Sequence, residues 1–141
     1  FIKEEEDNTN QLNSLIKSIN PNIEVFITNY KLSNLKKLNQ SDNFLIFSGI
    51  GNPESFRKIL ENNNFRIIKE IIFPDHYEYK KKDLEKIKNL AKKMNAKILT
   101  TEKDFVKIKN FDIENIDFLE INLEIINEKK LLKFLKSKLY E

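Results

Sequence analysis

Residues 73–79, with the sequence FPDHYEY, contain His76, the only histidine in this chain of 141 residues. An imidazole can gain or lose a proton near neutral pH, so His76 is a candidate for general acid–base chemistry. Asp75 precedes it and could orient the ring, although adjacent side chains need not form a pair. A lone histidine is also a common structural residue, and both interpretations stay open. With no second histidine and no cysteine in the chain, a metal site at His76 is not expected.

A second candidate segment is SGIGNPE at residues 48–54. Gly49 and Gly51 permit a tight turn or the close approach of a ligand, and the start of a following helix would favour an anion. The sequence does not match the dinucleotide-binding pattern GxGxxG, because Glu54 stands where the third glycine would be. A purely structural turn is therefore favoured, and an anion site is the alternative.

The third candidate segment is LTTEKD at residues 99–104. Thr101 and Asp104 have the spacing of a capping box, in which side-chain oxygens satisfy the first amide groups of a helix. Lys103 could instead bind a phosphate group as a mobile positive charge. The spacing favours the helix cap over the phosphate site.

Apolar periodicity and the few Gly and Pro residues divide the chain into alternating helices and strands. The predicted helices are residues 8–19, 53–64, 82–94, 102–108 and 127–139. The predicted strands are residues 22–30, 43–50, 65–73, 96–101 and 116–125, and residues 31–42 are expected to form a loop. This alternation predicts a single α/β domain over residues 1–141, with a mainly parallel sheet flanked by helices.

The three candidate segments each follow a predicted strand and lead toward a helix. The carboxyl ends of parallel strands lie at one edge of a sheet, and ligands of open α/β folds bind at that edge. We therefore expect Gly49, His76 and Thr101 to lie close together. In that arrangement their side chains and backbone groups could belong to one site.

Composition excludes several classes of function. The net charge is only +3, and Lys and Glu alternate along the predicted helices, which does not indicate a nucleic-acid surface. No stretch approaches the roughly 18–20 consecutive apolar residues of a membrane span. The last helix, residues 127–139, has its leucines on one arc and most of its lysines opposite. Packing against the sheet is favoured for this helix, and attachment to a membrane surface is the alternative.

Taken in their order and spacing, SGIGNPESF, FPDHYEY and ILTTEKDFVKI resemble the C-terminal half of the tetraacyldisaccharide 4′-kinase family of the lipid A pathway in Gram-negative bacteria. The resemblance covers essentially the whole chain, and TTEKDFVK and PDHYEY are its most specific parts. It implies the smaller, C-terminal lobe of a P-loop-type kinase, with the active site in the cleft between two lobes.

The resemblance also implies ATP- and Mg²⁺-dependent phosphorylation of the 4′-hydroxyl of a tetraacylated disaccharide 1-phosphate. The enzyme would bind its lipid substrate at the cytoplasmic face of the inner membrane, and no nucleic acid is expected as a partner. ATP and Mg²⁺ would be bound mainly by the N-terminal lobe, because the phosphate-binding pattern GxxxxGK[ST] does not occur in this chain. The chain by itself is therefore expected to be inactive.

Carried over to this sequence, the catalytic role falls to His76, which would assist an aspartate of the N-terminal lobe in activating the acceptor hydroxyl. Asp75 would have an orienting role. The residues expected to line the same cleft are Gly49, Gly51, Asn52, Tyr77, Thr101 and Lys103. A stand-alone α/β module that binds an anion or a nucleotide without catalysis is the alternative function.

Overall fold

The computed structural model describes residues 3–34 and 37–139, with side chains described from residue 8 onward. The helices of the described chain are α1 (Lys3–Ile19), α2 (Pro53–Asn62), α3 (Lys81–Lys93), α4 (Glu102–Ile108) and α5 (Glu128–Leu139). The strands are β1 (Thr28–Leu32), β2 (Asn43–Ser48), β3 (Arg66–Ile72), β4 (Lys97–Thr101), β5 (Ile116–Leu119) and β6 (Ile121–Ile125). Of the predicted loop 31–42, residues 35 and 36 lie outside the described residues.

Internal contacts divide the chain into two compact units. One unit is formed by Phe1–Tyr30 together with Leu123–Glu141, and the other by Lys31–Asn122. All three candidate segments belong to the second unit. A single domain over residues 1–141 stays a prediction.

The second unit contains a four-stranded sheet in the order β3-β2-β4-β5, in which every neighbouring pair is parallel. β2 lies inside the sheet, where Ile46 pairs with Glu70 of β3 on one side and Leu99 of β4 on the other. A strand that is covered on both faces needs a continuous apolar run, and NFLIFS provides it. The predicted α/β fold with a mainly parallel sheet is confirmed.

Helices cover both faces of this sheet because successive residues of a strand point in opposite directions. Leu45 and Phe47 of β2 belong to a buried cluster with residues of α3 and α4. Phe44 and Ile46 belong to a second buried cluster that includes Phe56 of α2. The two clusters fix the sheet between its helices and thereby place the carboxyl ends of the strands.

The first strand is shorter and later than the predicted residues 22–30, because β1 begins at Thr28 and ends at Leu32. Backbone groups that follow α1 form local hydrogen bonds instead of strand pairs. The amide of Ile23 donates to the carbonyl of Asn20 at 3.2 Å. Lys17 donates through its Nζ to the carbonyls of Pro21 and Ile23. The amide and the carbonyl of Ile23 are therefore not available to a strand ladder.

The predicted last strand, residues 116–125, is interrupted at Glu120 and forms β5 and β6. The cause is the Asn34 side chain, which is almost fully buried. Its Nδ2 donates to the carbonyl of Phe118 at 2.6 Å, and its Oδ1 accepts from the amide of Glu120 at 3.0 Å. After this point β6 pairs with β1 in a separate two-stranded sheet.

The first unit exposes much of its apolar surface. Its described contacts include the Phe26–Phe134 ring pair at 5.5 Å and an ion pair of 2.8 Å between Lys130 and Glu24. No described residue of α5 is buried, and Leu132, Leu135 and Leu139 are exposed. Within residues 3–34 and 37–139, no helix combines the length and apolar character that crossing a bilayer requires.

Candidate functional site

The carboxyl ends of β2, β3 and β4 bring the three candidate segments to one edge of the parallel sheet. Gly49 follows β2 directly, residues 73–79 follow β3, and Thr101 is both the last residue of β4 and the residue that precedes α4. Contacts between the segments are direct, since the amide of Phe73 donates to the carbonyl of Ser48 at 2.8 Å. The expectation of a shared edge is confirmed.

Asp104 joins two of these segments at the centre of the edge. Its side chain is completely buried, and Oδ2 accepts hydrogen bonds from the amide of Gly49 at 2.9 Å and from the hydroxyl of Thr101 at 2.7 Å. Oδ1 accepts from Lys107 Nζ at 3.1 Å. Because the buried carboxylate is paired with a cation and bound by two further donors, it connects the turn after β2 to the start of α4. We call Asp104, Gly49, Thr101 and Lys107 the Asp104 cluster.

Glycine is required at position 49 because neighbouring atoms fill the space that a side chain would occupy. Neither glycine of the chain has a positive φ, so backbone conformation does not demand glycine here. A methyl group at Gly49 would lie 3.0 Å from Tyr79 Oη and 3.3 Å from both Asp104 Oδ1 and the carbonyl oxygen of Pro74. The close approach that the sequence indicated is therefore made by other parts of this chain.

We expect Gly49→Ala to destabilise the chain by about 1–3 kcal/mol, because a methyl group is forced into a filled space. Urea unfolding of the 141-residue chain measures the effect. The closest contact is with the Tyr79 hydroxyl, so the same substitution should cost less in a Tyr79→Phe background. Equal stability of Gly49→Ala and the parent chain would contradict this account of the glycine.

Tyr79 places a buried hydroxyl beside the Asp104 cluster. The hydroxyl has no hydrogen-bond partner among the described residues, and Lys107 Nζ lies 5.9 Å from the centre of the ring. Burial, followed by the negative charge of Asp104, raises the pKa of Tyr79 well above its ordinary value. The hydroxyl therefore stays protonated at physiological pH.

His76 lies in a tight turn in which the amide of Tyr77 donates to the carbonyl of Pro74 at 3.1 Å. Its φ of 58° is in the left-handed region, where the other non-glycine residues of the described chain are asparagines. Such a conformation is uncommon for a residue other than glycine, although histidine tolerates it better than most, and it often occurs at functional sites. The side chain is 75% exposed, so groups outside this chain can reach the imidazole.

Asp75 contacts His76 in two ways. Its Oδ1 accepts a hydrogen bond from the backbone amide of His76 at 2.9 Å, and its Oδ2 lies 3.6 Å from the imidazole Nε2. Lys103 Nζ lies 3.5 Å from Oδ1. Partial burial acts to raise the pKa of Asp75, but the hydrogen bond from His76 and the charges of His76 and Lys103 together lower it. The carboxylate is therefore charged at neutral pH and faces the only imidazole.

The remaining candidates divide into helix caps and supports of the turn. Asn52 caps α2 by accepting from the amide of Ser55 at 3.1 Å. Thr101 caps α4 by accepting from the amide of Asp104 at 3.1 Å, so the predicted cap is confirmed. Tyr77 donates to Asp83 Oδ2 at 3.2 Å and thereby ties the turn to α3.

The sequence did not reveal the full role of Asp104, nor the contribution of Lys107 and Tyr79. Asp104 was expected to do no more than cap a helix. One signal was present in the sequence. Asp104 lies three residues after a buried strand, and a buried carboxylate lowers the stability of the fold unless hydrogen-bond donors surround it. One partner of that carboxylate, Gly49, lies 55 positions away, and Thr101 and Lys107 lie three positions before and after it, so spacing alone does not identify the full set.

Comparison with known proteins identifies relatives of this chain. The family model described as tetraacyldisaccharide-1-P 4′-kinase matches residues 2–140. A tetraacyldisaccharide 4′-kinase of Pelagibacter ubique is 39% identical over 131 residues, covering 93% of this chain and 42% of the relative. One of Rickettsia felis is 42% identical over 120 residues, covering 80% of this chain and 37% of the relative.

A solved structure shows the same fold. LpxK from Aquifex aeolicus, crystallised in complex with ATP, superposes with a TM-score of 0.54 at 22% identity, covering 86% of this chain and 40% of that one. This chain spans about two fifths of the length of the relatives that it matches. Since the family model extends over nearly all of its residues, the chain belongs to the tetraacyldisaccharide-1-P 4′-kinase family.

Proposed function

We propose that this chain is the C-terminal part of an ATP-dependent kinase that phosphorylates the 4′-hydroxyl of a tetraacyldisaccharide 1-phosphate in lipid A synthesis. The observation that carries the proposal is the family match over residues 2–140. The exposed His76, in a left-handed backbone conformation at the carboxyl edge of the sheet, supports it. The chain alone is expected to be inactive, because a kinase of this class needs a phosphate-binding loop.

In this function His76 assists a carboxylate from outside the chain. The acceptor hydroxyl must lose its proton as the new bond to phosphorus forms, and an imidazole beside a carboxylate base favours that transfer. High exposure of the ring makes it accessible to a second lobe. Asp75 has an orienting role in this proposal, since its Oδ1 is held by Lys103 and the amide of His76 and its Oδ2 faces the imidazole.

ATP and Mg²⁺ do not fit a site made from this chain alone. The amide of Gly49, which a phosphate-binding turn would offer to an anion, donates to Asp104 instead. Among residues 8–34 and 37–139, no group of three or more His, Asp or Glu side chains is placed to bind a metal ion. We therefore assign both ligands mainly to the N-terminal part of the enzyme and derive no step through them.

The same observation weakens the alternative of a stand-alone anion- or nucleotide-binding module. Gly49 and Gly51 make room for Tyr79 and Asp75, and Asn52 already caps the helix that follows. The proposed partners are the lipid disaccharide 1-phosphate and, in the longer protein, the cytoplasmic surface of the inner membrane. The exposed leucines of α5, with lysines along the same helix, are compatible with such a surface.

The function is tested with a chimera. In the Pelagibacter ubique relative, the part that matches this chain is replaced by residues 1–141, and ATP-dependent phosphorylation of tetraacyldisaccharide 1-phosphate is measured. We expect turnover by the chimera and none by the 141-residue chain alone. A folded chimera without activity would contradict the proposal, and so would micromolar binding of ATP by the chain alone in calorimetry.

A further inference from the structure

The two oxygens of Asp75 have different surroundings. Oδ1 accepts from the backbone amide of His76 at 2.9 Å and lies 3.5 Å from Lys103 Nζ. Oδ2 lies 3.6 Å from the imidazole Nε2 of His76, a distance of electrostatic contact rather than of a hydrogen bond. The carboxylate is thus oriented by donors on one oxygen, and its other oxygen faces the imidazole.

Gly51 borders the oxygen that faces His76. A methyl group on Gly51 would lie 3.3 Å from Asp75 Oδ2 and 3.8 Å from Asp75 Cγ, and apart from the flanking residues no other described residue has an atom within 4 Å of that position. Gly51 does not have a positive φ, and its surroundings are exposed, so its backbone accepts alanine. A side chain at position 51 would therefore press against the Asp75 carboxylate.

Lys103 approaches the same carboxylate from the first turn of α4. It lies one residue before Asp104, which ties α4 to the turn after β2. The side chains of Lys103 and Asp75 are each about half exposed, and ion pairs of this kind add little to stability. The contact can still select one orientation of a carboxylate.

We propose that Gly51 and Lys103 are positioning residues for His76, since together they hold the Asp75 carboxylate with one oxygen toward the imidazole. Gly51 acts by leaving room for Oδ2, and Lys103 acts by retaining Oδ1. Neither residue has to touch a substrate. The geometric part of the inference stands on the chain itself, whereas its consequence for turnover rests on the proposed function.

Magnetic resonance tests the geometry, because the chain has a single histidine and its ring signals need no assignment among several. The imidazole ¹⁵N and ¹H signals of the 141-residue chain are compared in Gly51→Ala, Lys103→Met and Asp75→Asn. We expect the first two to move the ring signals in the direction of Asp75→Asn, and Lys103→Arg to restore them. Lys81→Met is the matched control, since Lys81 is an exposed lysine paired with Glu85 at 3.9 Å. Ring signals that respond equally to Lys81→Met, or to no variant, would overturn the proposal.

Kinetics of the chimera test the consequence. We expect Lys103→Met and Gly51→Ala each to lower kcat about 10-fold, with KM for the lipid nearly unchanged. Displacement of a catalytic group slows the chemical step more than it weakens the binding of the substrate. In an Asp75→Asn background, Lys103→Met should lower kcat no further. The midpoint of thermal unfolding should change by no more than about 2 °C, which excludes a general loss of structure.

Unchanged kcat in an active chimera would overturn the positioning roles. Failure of the proposed function gives a different pattern. In that case the chimera has no activity with any variant, while the ring signals of His76 in the 141-residue chain still respond to Lys103→Met and Gly51→Ala.

Discussion

His76→Asn in the chimeric kinase is expected to lower kcat by about 100-fold or more, with KM for the lipid substrate changed little. In the proposed function, removal of the imidazole abolishes the group that assists proton transfer as the new bond to phosphorus forms, and substrate binding uses other groups. Asparagine is the appropriate replacement because the φ of 58° at this position is unfavourable for most residues. Asn64, Asn95 and Asn115 adopt the same region in this chain. Steady-state rates with varied lipid and saturating ATP separate kcat from KM.

A control is needed for the backbone of the turn. His76→Ala removes the imidazole and also disfavours the left-handed conformation, so it should be at least as damaging as His76→Asn. The exposed side chain contributes little to packing, and the unfolding midpoint of His76→Asn should match that of the parent. Turnover equal to the parent in His76→Asn would remove His76 from the mechanism. A change confined to KM would assign it to substrate binding.

The second large effect is on stability. Asp104→Ala is expected to destabilise the unit Lys31–Asn122 by about 3–5 kcal/mol, the usual cost of breaking a buried ion pair from one side. The substitution leaves the amide of Gly49 and the hydroxyl of Thr101 without their acceptor and Lys107 without its counter-charge. Urea unfolding followed by circular dichroism measures the loss.

Three further variants test whether the expected loss of stability depends on burial of the carboxylate or only on removal of a charge. Asp104→Asn keeps an acceptor of nearly the same shape and should lose less stability than Asp104→Ala. Lys107→Met in the Asp104→Ala background removes the unpaired cation and should recover part of the loss. Asp112→Ala is the exposed control, because its pair with Lys88 at 2.7 Å is open to solvent and contributes little. Equal losses in Asp112→Ala and Asp104→Ala would contradict the importance assigned to burial.

The order and type of most elements followed from local patterns. The buried run NFLIFS, the amphipathic α3 and the proline at the start of α2 are signals that act within a few residues. Alternation of strands and helices then required a parallel sheet, and a parallel sheet brings the ends of its strands to one edge. That is why the meeting of Gly49, His76 and Thr101 could be predicted without coordinates.

The first and last strands were misjudged for a different reason. Residues 22–27 have the apolar content of a strand, but Lys17 and Asn20 bind the backbone of Ile23. Asn34 interrupts the last strand from more than 80 positions away. Backbone hydrogen bonds to distant or flanking polar groups compete with strand ladders, and apolar patterns contain no information about them.

Sequence patterns alone predicted one imidazole, two glycines and a Thr–Asp cap as the groups available for chemistry, and the sheet edge at which they meet. The packed fold determines what each of them contacts. It directed the amide of Gly49 to Asp104 rather than to an anion, and it placed Asp75 between Lys103 and His76. The physical reason is the range of the interactions. Secondary structure depends on residues a few positions apart, whereas buried charges and tight glycine contacts depend on strands that only the packed core brings together.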